Sequence, residues 1–302
     1  MSTIVDPKTR ARRESPETDP YFYGWRYVSS VLPDGTEKLQ SIPLTEEDVL
    51  HPQEGDHIVQ GDAHGDDCDY LKNVFQWRLG HKGDAHVSSD LGVYWDDPEL
   101  DHHSPDISVF FGVHDPERRR DSFIVAKEGV LPRMLMEITS RSTRKVDLVD
   151  KVDEYHRAGV PLYVIVDAEK REEDGTLRLI GYQHAADRWE NLPLDEQGRL
   201  WLEPVQLWLG AEDGRVVCYD PQGIRIPDFT EVSNTRVAEA QARIAAEAQA
   251  KAEAQARAAA EAQVKVEAEA RAAAEARIRE LEERLRLAGG NSQVDGGSAS
   301  AK

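Results

Sequence analysis

Three ionisable residues, Asp106, Glu137 and Lys151, stand in segments where they could do chemistry. Asp106 opens the apolar run ISVFF, Glu137 interrupts the apolar run MLMEI, and Lys151 lies in the helical segment that follows. A carboxylate inside an apolar strand is costly to bury unless it is paired or binds a metal. If the two strands are neighbours, both carboxylates can offer oxygen ligands to Mg²⁺ or Mn²⁺. Such an ion lowers the pKa of a bound water, and Lys151 would orient that water and neutralise charge.

Each of these residues also has a plain structural explanation. Asp106 follows a proline and can simply end a turn, and Glu137 can point outward from a half-buried strand. Lys151 lies four residues after Asp147, the spacing of an ordinary ion pair on one helix face. The sequence alone leaves both readings open.

The elements that must position these residues alternate between helices and strands. We predict a helix at 66–79, a helix at 143–158 ended by Gly159, and an almost wholly apolar central strand at 162–166. Strand-length apolar runs bounded by turn residues occur at 86–91 (with 93–95), 107–111, 134–138, 177–183, 200–205 and 216–219. The predicted order is helix, three strands, helix, strand and then a β-rich extension, which is an α/β fold.

The C-terminal tail repeats with a 14-residue period, seen in Arg243, Arg257 and Arg271. Six of its bases follow a glutamate by four residues, and alanine fills most of the gaps, so we predict one helix over 235–288 that Gly289 and Gly290 end. Two heptads make 14 residues, so a coiled coil and homo-oligomerisation through 235–288 are open beside a solvated single helix.

Charge is distributed unevenly along the 302 residues. The net charge is −20, of which residues 1–230 carry −19. Such a body binds bulk nucleic acid poorly, because loose affinity comes mainly from bases that neutralise phosphates. A nucleic-acid substrate would therefore need local bases, and the candidates are Arg118–Arg120, Arg141, Arg144 and Lys145.

Composition also bears on location and on metals. No apolar stretch approaches a membrane span, and residues 1–20 lack the apolar core of a secretory signal, so we expect a cytoplasmic protein without membrane insertion. Cys68 and Cys218 match neither a disulfide framework nor a zinc spacing. His102 and His103 have no third ligand at a helpful spacing, so zinc is not expected there either.

A family resemblance joins these separate residues. It runs from Pro105-Asp106 through EITSRST at 137–143, Asp147, Lys151 and Tyr155 to GVPLYVIVD at 159–167, with PLTEE at 43–47 and His64 upstream. This pattern, over about residues 42–220, resembles the Uma-type restriction endonucleases of bacteria, in the PD-(D/E)XK nuclease superfamily. An Ala/Glu/Arg-rich helical tail is a familiar appendage of that group.

The resemblance implies a restriction-endonuclease-like αβββαβ core, metal ligands at Asp106 and Glu137, and Mg²⁺-dependent cleavage of DNA. The superfamily lysine normally follows the acid by two residues, where this chain has Thr139, so Lys151 would replace it. Asp147 and Tyr155 match family positions but can equally be structural. His64 would contact metal or substrate, or else cap a helix or lie on the surface.

We therefore expect four segments: a largely irregular segment at 1–41, an endonuclease-like domain at 42–230, a long helix or coiled coil at 231–288 and a disordered tail at 289–302. The first functional hypothesis is a Mg²⁺-dependent DNA endonuclease. The alternative is a catalytically inactive nuclease-fold module that binds or assembles through its C-terminal helix.

Overall fold

The computed structural model describes residues 15–16 and 18–290. Of the predicted disordered tail, residues 291–302 lie outside the described part, while 289–290 belong to the last helix. The chain divides into two units, Met1–Phe229 and Thr230–Lys302.

The strands are β1 Gly24–Val31, β2 Glu37–Pro43, β3 Asp56–Ile58, β4 His86–Ser88, β5 Gly92–Tyr94, β6 Ile107–Phe110, β7 Ser122–Ile124, β8 Pro132–Ile138, β9 Leu162–Asp167, β10 Arg178–His184, β11 Trp189–Asn191, β12 Leu200–Leu202, β13 Leu207–Glu212 and β14 Arg215–Tyr219. The helices are α1 Glu46–Leu50, α2 Asp62–Leu79, α3 Val125–Glu128, α4 Lys151–Arg157, α5 Arg171–Asp174 and α6 Phe229–Gly290, and a π-helical turn, Val146–Asp150, precedes α4.

The central sheet has the strand order β11-β10-β9-β8-β6-β4. β4, β6 and β8 pair antiparallel, whereas β8 and β9 pair parallel, with the π-helical turn and α4 as the crossover between them. All six residues of β9 are buried, as an interior strand covered on both faces requires. The central sheet and the parallel crossover between β8 and β9 form a mixed α/β core.

Alternate residues of these strands point to two separate apolar clusters. One face carries Met134 and Met136 of β8 and packs with Leu71 and Phe75 of α2. The other face carries Leu135 and packs in the cluster that includes Tyr155 of α4. The two helices that carry candidate residues are thus fixed on the sheet by buried apolar side chains.

The expectation of a largely irregular segment at 1–41 did not include the strands that follow Tyr23. β1 pairs antiparallel with β2 on one side and with β3 on the other, from Trp25↔Pro43 onward. Most side chains of this three-stranded sheet are exposed, including Leu39. Because backbone pairing holds these strands together and most of their side chains are exposed, apolar and polar residues need not alternate along them. The sequence pattern that predicts a half-buried strand was therefore missing.

The predicted helix over 143–158 is shorter and less regular in the structure. The π-helical turn over 146–150 replaces its middle, and α4 covers only Lys151–Arg157. Single π-helical turns are rare and frequently occur at functional sites. This one contains Asp147, which is buried, and ends directly before Lys151.

The helix α6 starts at Phe229, six residues before the predicted start, and continues through Gly290. Its described ion pairs include Arg243 with Glu247 and Arg271 with Glu275, so here the base precedes the acid, the reverse of the predicted order. Within the described helices, no segment has both the length and the apolar composition needed to cross a membrane.

Candidate active site

Asp106 and Glu137 lie side by side where β6 begins and β8 ends, in the interior of the central sheet. The register pairs Ile107 of β6 with Met136 of β8, which brings the residues on either side together. The amide of Asp106 donates to Oε2 of Glu137 at 3.3 Å, and the amide of Ile138 donates to Oδ2 of Asp106 at 2.7 Å. Both side chains are buried, at 5% and 2% exposure. Each carboxylate is thus held by the backbone of the other strand.

Lys151 of α4 reaches the same point from the helix. Its Nζ lies 3.0 Å from Oε1 of Glu137 and 2.9 Å from Oδ1 of Asp147. The ordinary helical ion pair with Asp147 is therefore present, and so is the contact with the strand acid. One turn further along α4, the hydroxyl of Tyr155 donates to Oε1 of Glu137 at 2.8 Å.

The site holds more acidic groups than basic ones. Burial raises the pKa of Glu137 to about 8, with Asp106 and Asp147 adding to the shift and Lys151 opposing it. Burial likewise raises the pKa of Asp147. For Lys151, burial disfavours the ammonium, but Asp147 and Glu137 outweigh it and raise the pKa. One buried ammonium thus faces more acidic groups than it can neutralise, so the surplus is met by bound protons, which a divalent cation could replace.

His64 approaches Asp106 from α2. Its Nε2 lies 3.3 Å from Oδ1 of Asp106 and 3.5 Å from Sγ of Cys68. Burial lowers the pKa of His64, but the hydrogen bond and charge of Asp106 outweigh burial and raise it. The side chain is buried and lies inside α2, so neither a surface position nor a capping role describes it.

A cavity of about 930 Å³ opens onto Asp106, Glu137, Asp147 and Lys151. Further acids line it: Glu54, Asp56, Asp90 and Asp121. Asp90 is a site residue that the sequence did not reveal. Burial, and then the charge of Asp106, raise its pKa to about 6. It lies in the bend after β4, inside the run predicted at 86–91, and no motif marks it as a site residue.

A second buried group of side chains surrounds His103. The indole Nε1 of Trp95 donates to Nδ1 of His103 at 2.7 Å, and Nε2 of His103 lies 2.6 Å from Oε2 of Glu154. The structure also brings His51 within reach of Glu154, a grouping that the spacing of His102 and His103 did not predict. Since Nδ1 accepts from the indole, Nε2 carries the proton of the neutral ring and is not a free metal ligand.

The bases proposed to contact nucleic acid mostly have acidic partners. The described ion pairs are Arg118 and Arg120 with Glu128, Arg144 with Asp167, and Lys145 with Glu46. Arg120 is also almost completely buried, with 2% of its side chain exposed. These residues therefore neutralise local acids as well as contributing positive charge.

No curated protein matches the chain. Among solved structures, a putative nuclease belonging to DUF820 from Anabaena variabilis ATCC 29413 is similar at 15% identity and a TM-score of 0.33, covering 56% of this chain and 78% of that one. Because this TM-score is so low, the likeness says nothing further about this chain. The model of the Uma2 family, described as "Putative restriction endonuclease", matches residues 45–212, more than half of the sequence. The chain therefore belongs to the Uma2 family.

Proposed function

We propose that this protein is a divalent-metal-dependent nuclease that hydrolyses phosphodiester bonds in DNA. The family supports nuclease activity and a restriction-endonuclease-like α/β core. The observation that carries the proposal is the pair Asp106 and Glu137, buried on neighbouring strands, beside Lys151 and open to a large cavity.

The residues fit a hard divalent cation. Asp106 and Glu137 supply the carboxylate oxygens that Mg²⁺ and Mn²⁺ prefer, and the excess of buried acids leaves charge for such an ion to neutralise. When bound, it would lower the pKa of a water molecule and stabilise negative charge on the phosphate. Asp106 and Glu137 would hold it.

The remaining side chains position these ligands. Lys151 and Tyr155 both contact Oε1 of Glu137, which fixes the orientation of that carboxylate. The ammonium of Lys151 also provides a positive charge beside the reacting phosphate.

We further propose that α2, β4, β6, β8, α4 and β9 form the αβββαβ core of the PD-(D/E)XK superfamily. Thr139 stands where that superfamily has its lysine. Its hydroxyl donates to Oδ1 of Asp167 at 3.3 Å and accepts from the amide of Ala168 at 2.9 Å. Thr139 thus connects β8 with the end of β9, and Lys151 supplies the ammonium from the helix.

The test is cleavage of plasmid DNA with Mg²⁺ or Mn²⁺. Asp106→Asn and Glu137→Gln preserve shape while removing charge, and the exposed Glu196→Gln is the matched control. Because such an ion is worth several kcal/mol in the transition state, we expect each site variant to lose activity by about 100-fold or more and the control to retain it. Equal cleavage by all four proteins would remove the assignment.

A second candidate function is a nuclease-fold module that does not cleave and assembles through α6. The acidic cavity wall and the paired bases favour it, because both weaken attraction of a phosphate backbone. Absence of Mg²⁺ or Mn²⁺ binding at millimolar metal would support this candidate over the first. A cytoplasmic location remains a prediction for both.

A further inference from the structure

Three different ligand types converge beside the proposed magnesium site. His64 and Cys68 are four residues apart on α2, which places them on one helix face. Asp106 meets them from the start of β6. Nε2 of His64, Sγ of Cys68 and a carboxylate oxygen of Asp106 all lie within 4.8 Å of one another, and all three residues are buried.

Two of the three spacings between these atoms match edges of a tetrahedral metal site. With bonds of about 2.0 Å to nitrogen and oxygen and about 2.3 Å to sulfur, tetrahedral zinc separates nitrogen from oxygen by about 3.3 Å and nitrogen from sulfur by about 3.5 Å. In the structure, Nε2 of His64 lies 3.3 Å from Oδ1 of Asp106 and 3.5 Å from Sγ of Cys68. The third edge, from Sγ of Cys68 to Asp106, is at most 4.8 Å long.

The donor set also indicates which cation would bind. A thiolate and an imidazole suit zinc and similar transition metals, whereas magnesium takes oxygen ligands. A bound metal deprotonates a coordinating thiol, so Cys68 and Asp106 would together balance a divalent charge. Nδ1 of His64 is buried and has no hydrogen-bond partner among the described residues, so Nε2 carries the polar contacts of the ring.

We propose that His64, Cys68 and Asp106 form a binding site for zinc or a similar divalent transition metal. The fourth position would be open to water. The site shares Asp106 with the proposed magnesium pair, so zinc would compete for that carboxylate and inhibit cleavage. This last consequence rests on the proposed function; the binding itself does not.

The test of binding uses the full-length, metal-free protein titrated with Co²⁺, followed by titration with Zn²⁺. One equivalent of Co²⁺ should give the thiolate-to-cobalt charge-transfer absorption in the near ultraviolet, and Zn²⁺ should abolish it. Cys68→Ser should lack that absorption, and the matched control Cys218→Ser, which alters the other buried cysteine, should keep it. No such absorption in the wild type, or its loss only in the control, would overturn the proposal.

Affinity for zinc provides a second readout, measured by competition with a chromophoric chelator. Removing a group that only hydrogen-bonds a metal ligand lowers metal affinity about 10–100-fold. Loss of a direct ligand, in Cys68→Ser or His64→Asn, should therefore weaken zinc binding by at least that factor. Circular dichroism of each variant shows whether it is folded. Unchanged affinity in both folded variants would contradict the site.

Glu137→Gln separates this proposal from the nuclease assignment. Glu137 is not part of the zinc set, so the variant should retain the cobalt absorption while losing magnesium-dependent cleavage. If the wild type binds cobalt through Cys68 but does not cleave DNA, the nuclease assignment fails and the metal site stands. If it cleaves DNA and zinc neither binds nor inhibits, the metal site fails alone.

Discussion

Replacing Lys151 by methionine tests how the buried charges are held. The side chain is 5% exposed, and its ammonium lies 3.0 Å from Glu137 and 2.9 Å from Asp147, which are themselves almost completely buried. Removing one partner of a buried ion pair leaves an uncompensated charge and costs about 3–5 kcal/mol. We expect Lys151→Met to lower the free energy of unfolding by that amount.

The assay is urea denaturation of the metal-free protein at pH 7, followed by tryptophan fluorescence. All six tryptophans lie within residues 1–229, so the signal reports on that unit. The matched control is Lys127→Met on the exposed side of α3, which should change stability by less than about 0.5 kcal/mol.

A double-mutant cycle with Asp147→Asn sharpens the result. Asp147→Asn relieves part of the negative charge that Lys151→Met leaves behind, so the double variant should be more stable than additivity predicts by about 1–3 kcal/mol. If Lys151→Met costs less than about 1 kcal/mol, or if the two losses simply add, Lys151 does not hold the carboxylates as described.

Three further predictions follow from the same structure. Burial lowers the pKa of His103 from 6.5 to about 4, so on acidification the unfolded state binds its proton first. Stability should therefore fall by up to about 3 kcal/mol between pH 6.5 and 4, and His103→Gln should flatten this slope in urea titrations; parallel profiles would refute it. Tyr155→Phe removes a donor to Glu137 and should cost about 1–3 kcal/mol, so an unchanged denaturation midpoint would contradict that contact. For α6, sedimentation should show an oligomer that Leu281→Lys with Leu285→Lys converts to monomer, and identical masses would exclude assembly through this helix.

The sequence contained the information that placed the acids together. Asp106 and Glu137 each sit at a defined point of an apolar strand, and neighbouring antiparallel strands bring such points into register. The helical spacing of Asp147 and Lys151 predicted their ion pair. The reach of Lys151 to Glu137 was expected from the family resemblance and depends on how α4 packs on the sheet, which the apolar stripe of the helix determines.

What the sequence did not predict depends on contacts between distant segments. β1 to β3 are mostly exposed, so backbone pairing rather than buried apolar residues defines them. Asp90 and Cys68 enter the site only because the bend after β4 and the N-terminal half of α2 lie next to Asp106. Residues 64, 68 and 106 have no recognised zinc spacing because the third ligand comes from another element.

The central claim is that Asp106 and Glu137 together bind one divalent cation. The most direct measurement is isothermal titration calorimetry of Mg²⁺ and Mn²⁺ into the metal-free protein and into Asp106→Asn, Glu137→Gln and the control Glu196→Gln. We predict one equivalent bound by the wild type and the control, and none at millimolar metal by either site variant. No binding by the wild type, or equal binding by all four proteins, would contradict the claim.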